Sequence, residues 1–208
     1  MNRRRFIKAG TISTLSFNSV LANSNLIPTP GEVEGPFYPV VAQKDQDFDL
    51  TIIKGHTQNA IGKQIFITGR VIDIEGKAIE NATVDIWQAN AAGRYSHPRD
   101  PNNAALDTNF QGWAIVQSGS NGEFKFKTVF PGAYPASGNW MRPPHIHFKV
   151  SKPGYVNLTT QMYFPDDPLN SDDLLLQRKP IEQQRLMIAK NSSEQPDTYL
   201  YQIVIEKA

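Results

Sequence analysis

From Gln64 onward the chain returns five times to one pattern, apolar and polar residues in alternation, with turn-forming residues in between. The segments are QIFITGRVID (64–73), TVDIWQAN (83–90), SNGEFKFKTV (120–129), HIHFKV (145–150) and YLYQIVIE (199–206). A period of two gives each strand one apolar face, and strands of this kind bury those faces by stacking two sheets. IEGKAIENA supplies turn residues between the first two strands, and Asn121-Gly122 is the strongest short hairpin signal in the chain. One helix is expected around Lys179 to Lys190, with Pro180 in its first turn. The fold class is therefore all-β: a β-sandwich with long loops and a short helix in the C-terminal half.

The 208 residues suffice for one sizeable core, and neither a repeat nor a second-domain boundary interrupts them. The first 22 residues read differently. A basic stretch, NRRRFIKAG, precedes the short apolar run TISTLSFNSVLA, which is too short to span a membrane. Arg3-Arg4-x-Phe6-x-Lys8 resembles a bacterial twin-arginine signal, so residues 1–22 are expected to be a cleaved export peptide leading to the periplasm. Residues 23–34, rich in Asn, Ser, Pro, Thr and Gly, read as a linker, and 35–208 as the sandwich domain. Without the export peptide the net charge falls from +1 to −3, which gives nucleic acid no attraction. The absence of cysteine excludes disulfides, thiolate metal sites and cysteine nucleophiles.

RPPHIHFKV (142–150) holds two of the four histidines. On a strand His145 and His147 point to one face while Ile146, Phe148 and Val150 point into the core. Such a pair can grip a metal ion, or can be two polar residues on a wet face. His97, in GRYSHPRD, would supply a third imidazole to a zinc or copper site, and His56 lies in a polar stretch. Tyr95 in GRY and Tyr134 in PGAYP sit in Gly- and Pro-rich loops that let backbone come close. Asp166 and Asp167 suit a turn before Pro168, and Trp87 suits a place in the core under the Tyr95 loop. Taken alone, these residues leave a metal site and ordinary packing both open.

GRVIDIEGKAIENATVDIWQANAAGRYSHPRD, GEFKFKTVFPGAYP, RPPHIHF and TQMYFPDDPL resemble, in order, successive segments of the intradiol ring-cleavage dioxygenases. Within that family the iron-bearing β chain of protocatechuate 3,4-dioxygenase is the most similar, and the resemblance runs from about Gly35 to the C-terminus. It implies a prealbumin-like sandwich holding a non-haem Fe(III). Its ligands would be Tyr95, Tyr134, His145 and His147, with Arg142 and Gln161 as catalytic groups beside them. It further implies a catecholic substrate and O2, with Tyr134 as the phenolate that leaves when the catechol binds. Free tyrosine ionises only near pH ~10, but a bound cation can hold it deprotonated at neutral pH.

The segment departs from the family at the pocket wall. A tryptophan would be expected two residues after Tyr134 and another immediately before Arg142. Ala136 and Met141 stand there, with Trp140 one place earlier. Paired-chain members of the family build each pocket from two chains, so a homo-oligomer or a partner chain stays open here. Two further readings remain beside the dioxygenase: an exported, non-catalytic β-sandwich binding module, and a His-ligated zinc or copper protein.

Overall fold

A computed structural model describes residues 26–41 and 47–208. The expected export peptide, residues 1–22, lies outside the described residues. The strands are β1 (Gln64–Asp73), β2 (Thr83–Trp87), β3 (Trp113–Gln117), β4 (Glu123–Val129), β5 (Tyr134–Ser137), β6 (Trp140–Arg142), β7 (His145–Ser151), β8 (Leu158–Tyr163), β9 (Lys190–Asn191) and β10 (Thr198–Ile205). They form two four-stranded sheets, ordered β4-β1-β10-β9 and β3-β2-β7-β8, with β5 and β6 as a separate two-stranded ribbon. The long pairing of β1 with β10 is parallel, and the other strand pairs are antiparallel. The fold is thus the all-β sandwich that the alternation implies.

The core lies between the sheets, where the apolar half of each alternating strand meets its counterpart. Ile65, Ile67 and Val71 of β1 and Phe124 and Phe126 of β4 face Val84 and Ile86 of β2 and Ile146, Phe148 and Val150 of β7. β10 adds Tyr201, Ile203 and Ile205, all buried. Each fully buried aliphatic or aromatic side chain of this kind contributes roughly 1.5–3 kcal/mol relative to exposure. The helix α1 (Ile181–Met187) is shorter than expected. It begins directly after Pro180, and the chain leaves it to pair Ala189 N–H with the Tyr163 carbonyl (2.9 Å). No helix among the described residues is long and apolar enough to cross a membrane.

Two expectations need correction. Asn121-Gly122 does turn the chain, but not into a hairpin, because β3 and β4 belong to different sheets. Gly122, at φ +75°, lies under β1, where a Cβ would come 2.3 Å from the Val71 carbonyl oxygen. The turn therefore carries the chain from one sheet to the other. The second correction concerns the linker. Its described part, residues 26–34, is bound to the sandwich by backbone hydrogen bonds from Leu26 N–H to Ile74 (2.7 Å), Thr29 N–H to Val204 (3.0 Å) and Glu32 N–H to Thr159 (2.8 Å). Val204 N–H donates in return to the Thr29 hydroxyl (2.8 Å). Prolines 28 and 30 deny this strap a regular ladder, which is why composition makes it look like a linker.

Candidate metal centre

β7 presents His145 and His147 on the face away from the core, yet both are buried, at 2% and 3% exposure. Loops cover that face, so it is not a wet one. Strand register decides their neighbours. Trp87 of β2 and Gln161 of β8 stand opposite His147, and Tyr163 of β8 stands opposite His145. The Trp87 ring lies parallel to the His147 ring, with centroids 4.7 Å apart and planes 10° from coplanar. Trp87 is thus core, as expected, but also the surface that fixes the His147 ring. His145 Nδ1 lies 2.7 Å from the Pro143 carbonyl and donates to it, which leaves Nε2 as a lone pair. The Nε2 atoms of His145 and His147 are 3.2 Å apart.

The segments that lead into the two tyrosines are tied to each other. Gly93, two residues before Tyr95, and Gly132, two before Tyr134, both donate backbone N–H to the Asn90 carbonyl (3.0 and 2.9 Å). The Asn90 side chain accepts from Ala92 and Arg94 N–H and so shapes the first loop. At Gly93 (φ +79°) a Cβ would meet the Ala133 carbonyl oxygen at 2.2 Å, and at Gly132 a Cβ would meet Gly93 N at 2.4 Å. Only glycine permits this approach, and it sets the Tyr95 and Tyr134 rings 5.5 Å apart, edge to face. Tyr134 opens β5 instead of lying in a loop, and it pairs in register with Arg142 of β6. Its hydroxyl stands 3.5 Å from His145 Nε2.

Burial shifts the four groups in complementary ways. It pushes His145 well below the ordinary histidine range, and with the nearby Arg142 charge it lowers His147 to about 3. Both imidazoles are therefore neutral at pH 7 and free to donate a lone pair. Burial raises Tyr95 well above the usual phenol value, and the adjacent Tyr134 adds to the shift. Tyr134 is raised by burial too, against the pull of Arg142. The Tyr95 hydroxyl is buried without a hydrogen bond of good geometry, and so is His147 Nδ1. An unpartnered buried phenol is costly in itself, but it is what a hard cation needs as an oxygen donor. With metal–nitrogen distances of about 2.0–2.1 Å, nitrogens 3.2 Å apart can reach one ion.

Arg142 and Gln161, expected beside the metal ligands, are both buried there. Arg142 Nη2 donates to Gln161 Oε1 (2.5 Å) and to the Tyr163 hydroxyl (3.1 Å), and Nε donates to Asp173 Oδ2 (2.7 Å). Gln161 Nε2 donates in turn to the Val33 carbonyl of the N-terminal strap (3.1 Å). Burial disfavours the guanidinium charge, but Tyr163, Tyr134 and Asp173 outweigh it and raise Arg142 further. Trp140 stands 5.4 Å from the guanidinium carbon, ring centroid to Cζ. An irregularity between Pro135 and Ser137 pairs Ser137 with Trp140. Along β6 itself Trp140 and Arg142 share a face by the period of two, while Met141 is turned outward and 38% exposed.

Asp173 and Tyr163 were not legible as site residues in the sequence, whereas Phe37, whose ring packs on Tyr95 (4.9 Å) and Tyr134 (6.3 Å), lies in a loop that the family resemblance offers as a pocket wall. That loop is EVEGPFYPV, whose Gly-Pro-Phe is similar to loops near the site in the family, and which could equally have packed its aromatics on the sandwich. Gly35 of the same loop comes up against His147, where a Cβ would sit 3.4 Å from Cε1. His97 lies on the far side of Phe37, with ring centroids 5.8 Å apart, and its Nδ1 accepts Arg99 N–H (3.1 Å). His56 pairs on the surface with Asn109. Among the described residues no three His, Asp or Glu side chains gather as a metal group, so the zinc or copper arrangement with His97 is not formed. Asp167 caps the turn at Pro168–Asp172 by accepting Leu169 N–H, the turn role expected for it.

Residues 33–207 match a family model described as Dioxygenase. The chain is 40% identical over 161 residues to the protocatechuate 3,4-dioxygenase beta chain of Burkholderia cepacia, covering 74% of this chain and 68% of that one. It is 33% identical over 162 residues to catechol 1,2-dioxygenase of Acinetobacter baylyi, covering 70% of this chain and about half (49%) of the relative. Among solved structures it is similar to the dioxygenase domain of a carbohydrate-binding fusion protein from Streptomyces sp. SirexAA-E. There the TM-score is 0.64 at 28% identity, over 88% of this chain and 100% of that one. Hydroxyquinol 1,2-dioxygenase from Pseudomonas putida shares the fold, with TM-score 0.68 at 22% identity over 89% and 69% of the two chains.

Proposed function

The chain belongs to the intradiol ring-cleavage dioxygenases, and from that premise we propose where its chemistry resides: a non-haem Fe(III) held by Tyr95, Tyr134, His145 and His147. There a protocatechuate- or catechol-like ring is opened by O2 between its two hydroxyl-bearing carbons to a cis,cis-muconate. The observation that carries this reading is the meeting of two buried phenols with two neutral imidazoles. As phenolates the tyrosines offset two of the three ferric charges, and the imidazoles add none. That donor set fits a hard, highly charged ion. Bound there, ferric iron supplies the Lewis acidity that draws electron density from the catecholate and opens a ring carbon to O2.

The remaining tasks fall to side chains of this chain. Tyr134 can accept a proton from the incoming catechol at Oη, and its burial-raised pKa keeps that proton there. Arg142 cannot lose its proton, so it stabilises the negative charge that builds on the ring during oxygen attack. Gln161 holds Arg142 through Oε1 and is itself held by the strap carbonyl of Val33. Phe37, packed over both tyrosines, keeps water from the reacting face.

The test is a visible spectrum of the iron-loaded protein, recorded before and after anaerobic addition of catechol. Tyrosinate-to-iron charge transfer is expected to give a broad band that shifts when catechol binds and is followed by muconate once O2 is admitted. A protein that stays colourless after iron loading would sink the assignment of Tyr95 and Tyr134.

The same proposal places the enzyme in the periplasm, supported by Arg3-Arg4-x-Phe6-x-Lys8 and the short apolar run after it. Exchange of Arg3 and Arg4 together for lysine is expected to leave the protein in the cytoplasm at full length. Cell fractionation that finds the double variant still in the periplasm would refute twin-arginine export.

A further inference from the structure

Resting on the dioxygenase reading, we infer that Asp173 is a positioning residue of the reaction: with Tyr163 it fixes which edge of the Arg142 guanidinium faces the bound substrate. Asp173 ends the turn at Pro168–Asp172 and is fully buried. It hydrogen-bonds to none of the four proposed ligands, yet both its oxygens are engaged. Oδ2 accepts Arg142 Nε at 2.7 Å. Oδ1 accepts the backbone N–H of Leu176 (2.8 Å) and Leu175 (3.2 Å), which anchors the carboxylate to the chain.

Tyr163 closes the ring of contacts. Its hydroxyl accepts from Arg142 Nη2 (3.1 Å) and lies 3.0 Å from Asp173 Oδ1, to which it donates. Burial keeps Tyr163 protonated, well above the ordinary phenol range, so it remains a donor. The guanidinium is thus clamped along its Nε edge by Asp173 and at Nη2 by Tyr163 and Gln161. Nη1 is left without a hydrogen-bond partner among the described residues. A planar guanidinium has a fixed fork of donors, so holding two corners determines where the third points. Tyr163 also stands opposite His145 in the strand register, which ties the clamp to the ligand strand. A neutral or displaced partner at 173 lets the fork rotate. Misplacement of a catalytic group by about 1 Å can cost about a hundredfold in rate.

The experiment compares wild type, Asp173→Asn, Asp173→Glu and Tyr163→Phe, all loaded with iron. Asp173→Asn is expected to lower kcat about a hundredfold and Tyr163→Phe about tenfold. Iron content, the charge-transfer band and the anaerobic Kd for catechol are expected to stay within about threefold of wild type. Asp173→Glu, which keeps the charge, is expected to recover part of the loss. A kcat within twofold of wild type in Asp173→Asn would overturn the inference, as would a loss of iron and catechol binding in proportion to kcat. If Asp173→Asn does not fold, Tyr163→Phe decides by the same criteria. A wild-type protein that neither colours nor cleaves catechol would refute the dioxygenase reading itself, an outcome distinct from an active wild type beside an equally active Asp173→Asn.

Discussion

Tyr95→Phe is expected to weaken iron binding by a hundredfold or more and, in the same protein, to raise the stability of the metal-free form. The two effects have one cause. The Tyr95 hydroxyl is buried and lacks a well-formed hydrogen bond, and removing such a group relieves a desolvation cost of about 1–3 kcal/mol. Phenylalanine keeps the ring that packs against Phe37 and Tyr134, so no cavity forms. The lost oxygen is, by our assignment, a direct anionic ligand. Changing groups that merely support a ligand already costs about 10–100-fold in metal affinity. Thermal unfolding of the metal-free proteins, together with metal analysis after dialysis, reads both. A variant less stable without metal, or one that retains iron, would show that this oxygen serves the fold and not the ion.

Arg142→Leu has the second large effect, and it acts on rate and stability together. The lost positive charge at the reacting ring is expected to lower kcat by about 10²–10³. Its ion pair with Asp173 is buried on both sides, with side-chain exposures of 6% and 0%. Leucine leaves Asp173 in the interior with no cation, a change that costs about 3–5 kcal/mol. The double variant Arg142→Leu with Asp173→Leu removes the stranded charge. It is expected to recover most of the stability and none of the activity. Denaturant titration separates the two, since a double variant as unstable as the single one would mean that the pair is not the source of the cost.

The sandwich was legible because alternation is a local signal, and β1, β7 and β10 carry it over six or more residues each. The ribbon of β5 and β6 was not. YPAS and WMR are too short to show a period, and the first contains a proline. The hairpin signal at Asn121-Gly122 was sound as a turn, but a turn does not say which sheet its second strand joins. His145 and His147 could be seen from spacing. Tyr95 and Tyr134 could be picked out only through the family's motifs, because what joins them is the contact between Gly93 and Gly132, 39 positions apart. Asp173 carries no local signal, because its partner lies 31 residues earlier on another element. Met141 looked like a lost pocket tryptophan, but on β6 Trp140 lies two residues from Arg142 and so shares its face.

The place of β10 fixes an order of events during synthesis. It lies inside its sheet, between β1 and β9, and runs parallel to β1, which was made more than a hundred residues earlier. Until β10 leaves the ribosome, the neighbouring edge of β1 is open, and Ile65 and Ile67 lack the cover of Tyr201 and Ile203. Strand pairing over such a span forms slowly and leaves apolar surface exposed meanwhile. The strap waits on the same event, because Thr29 bonds to Val204 of that strand. The strap, although it precedes β1 in the chain, therefore takes its place along β10 only after that strand has been translated.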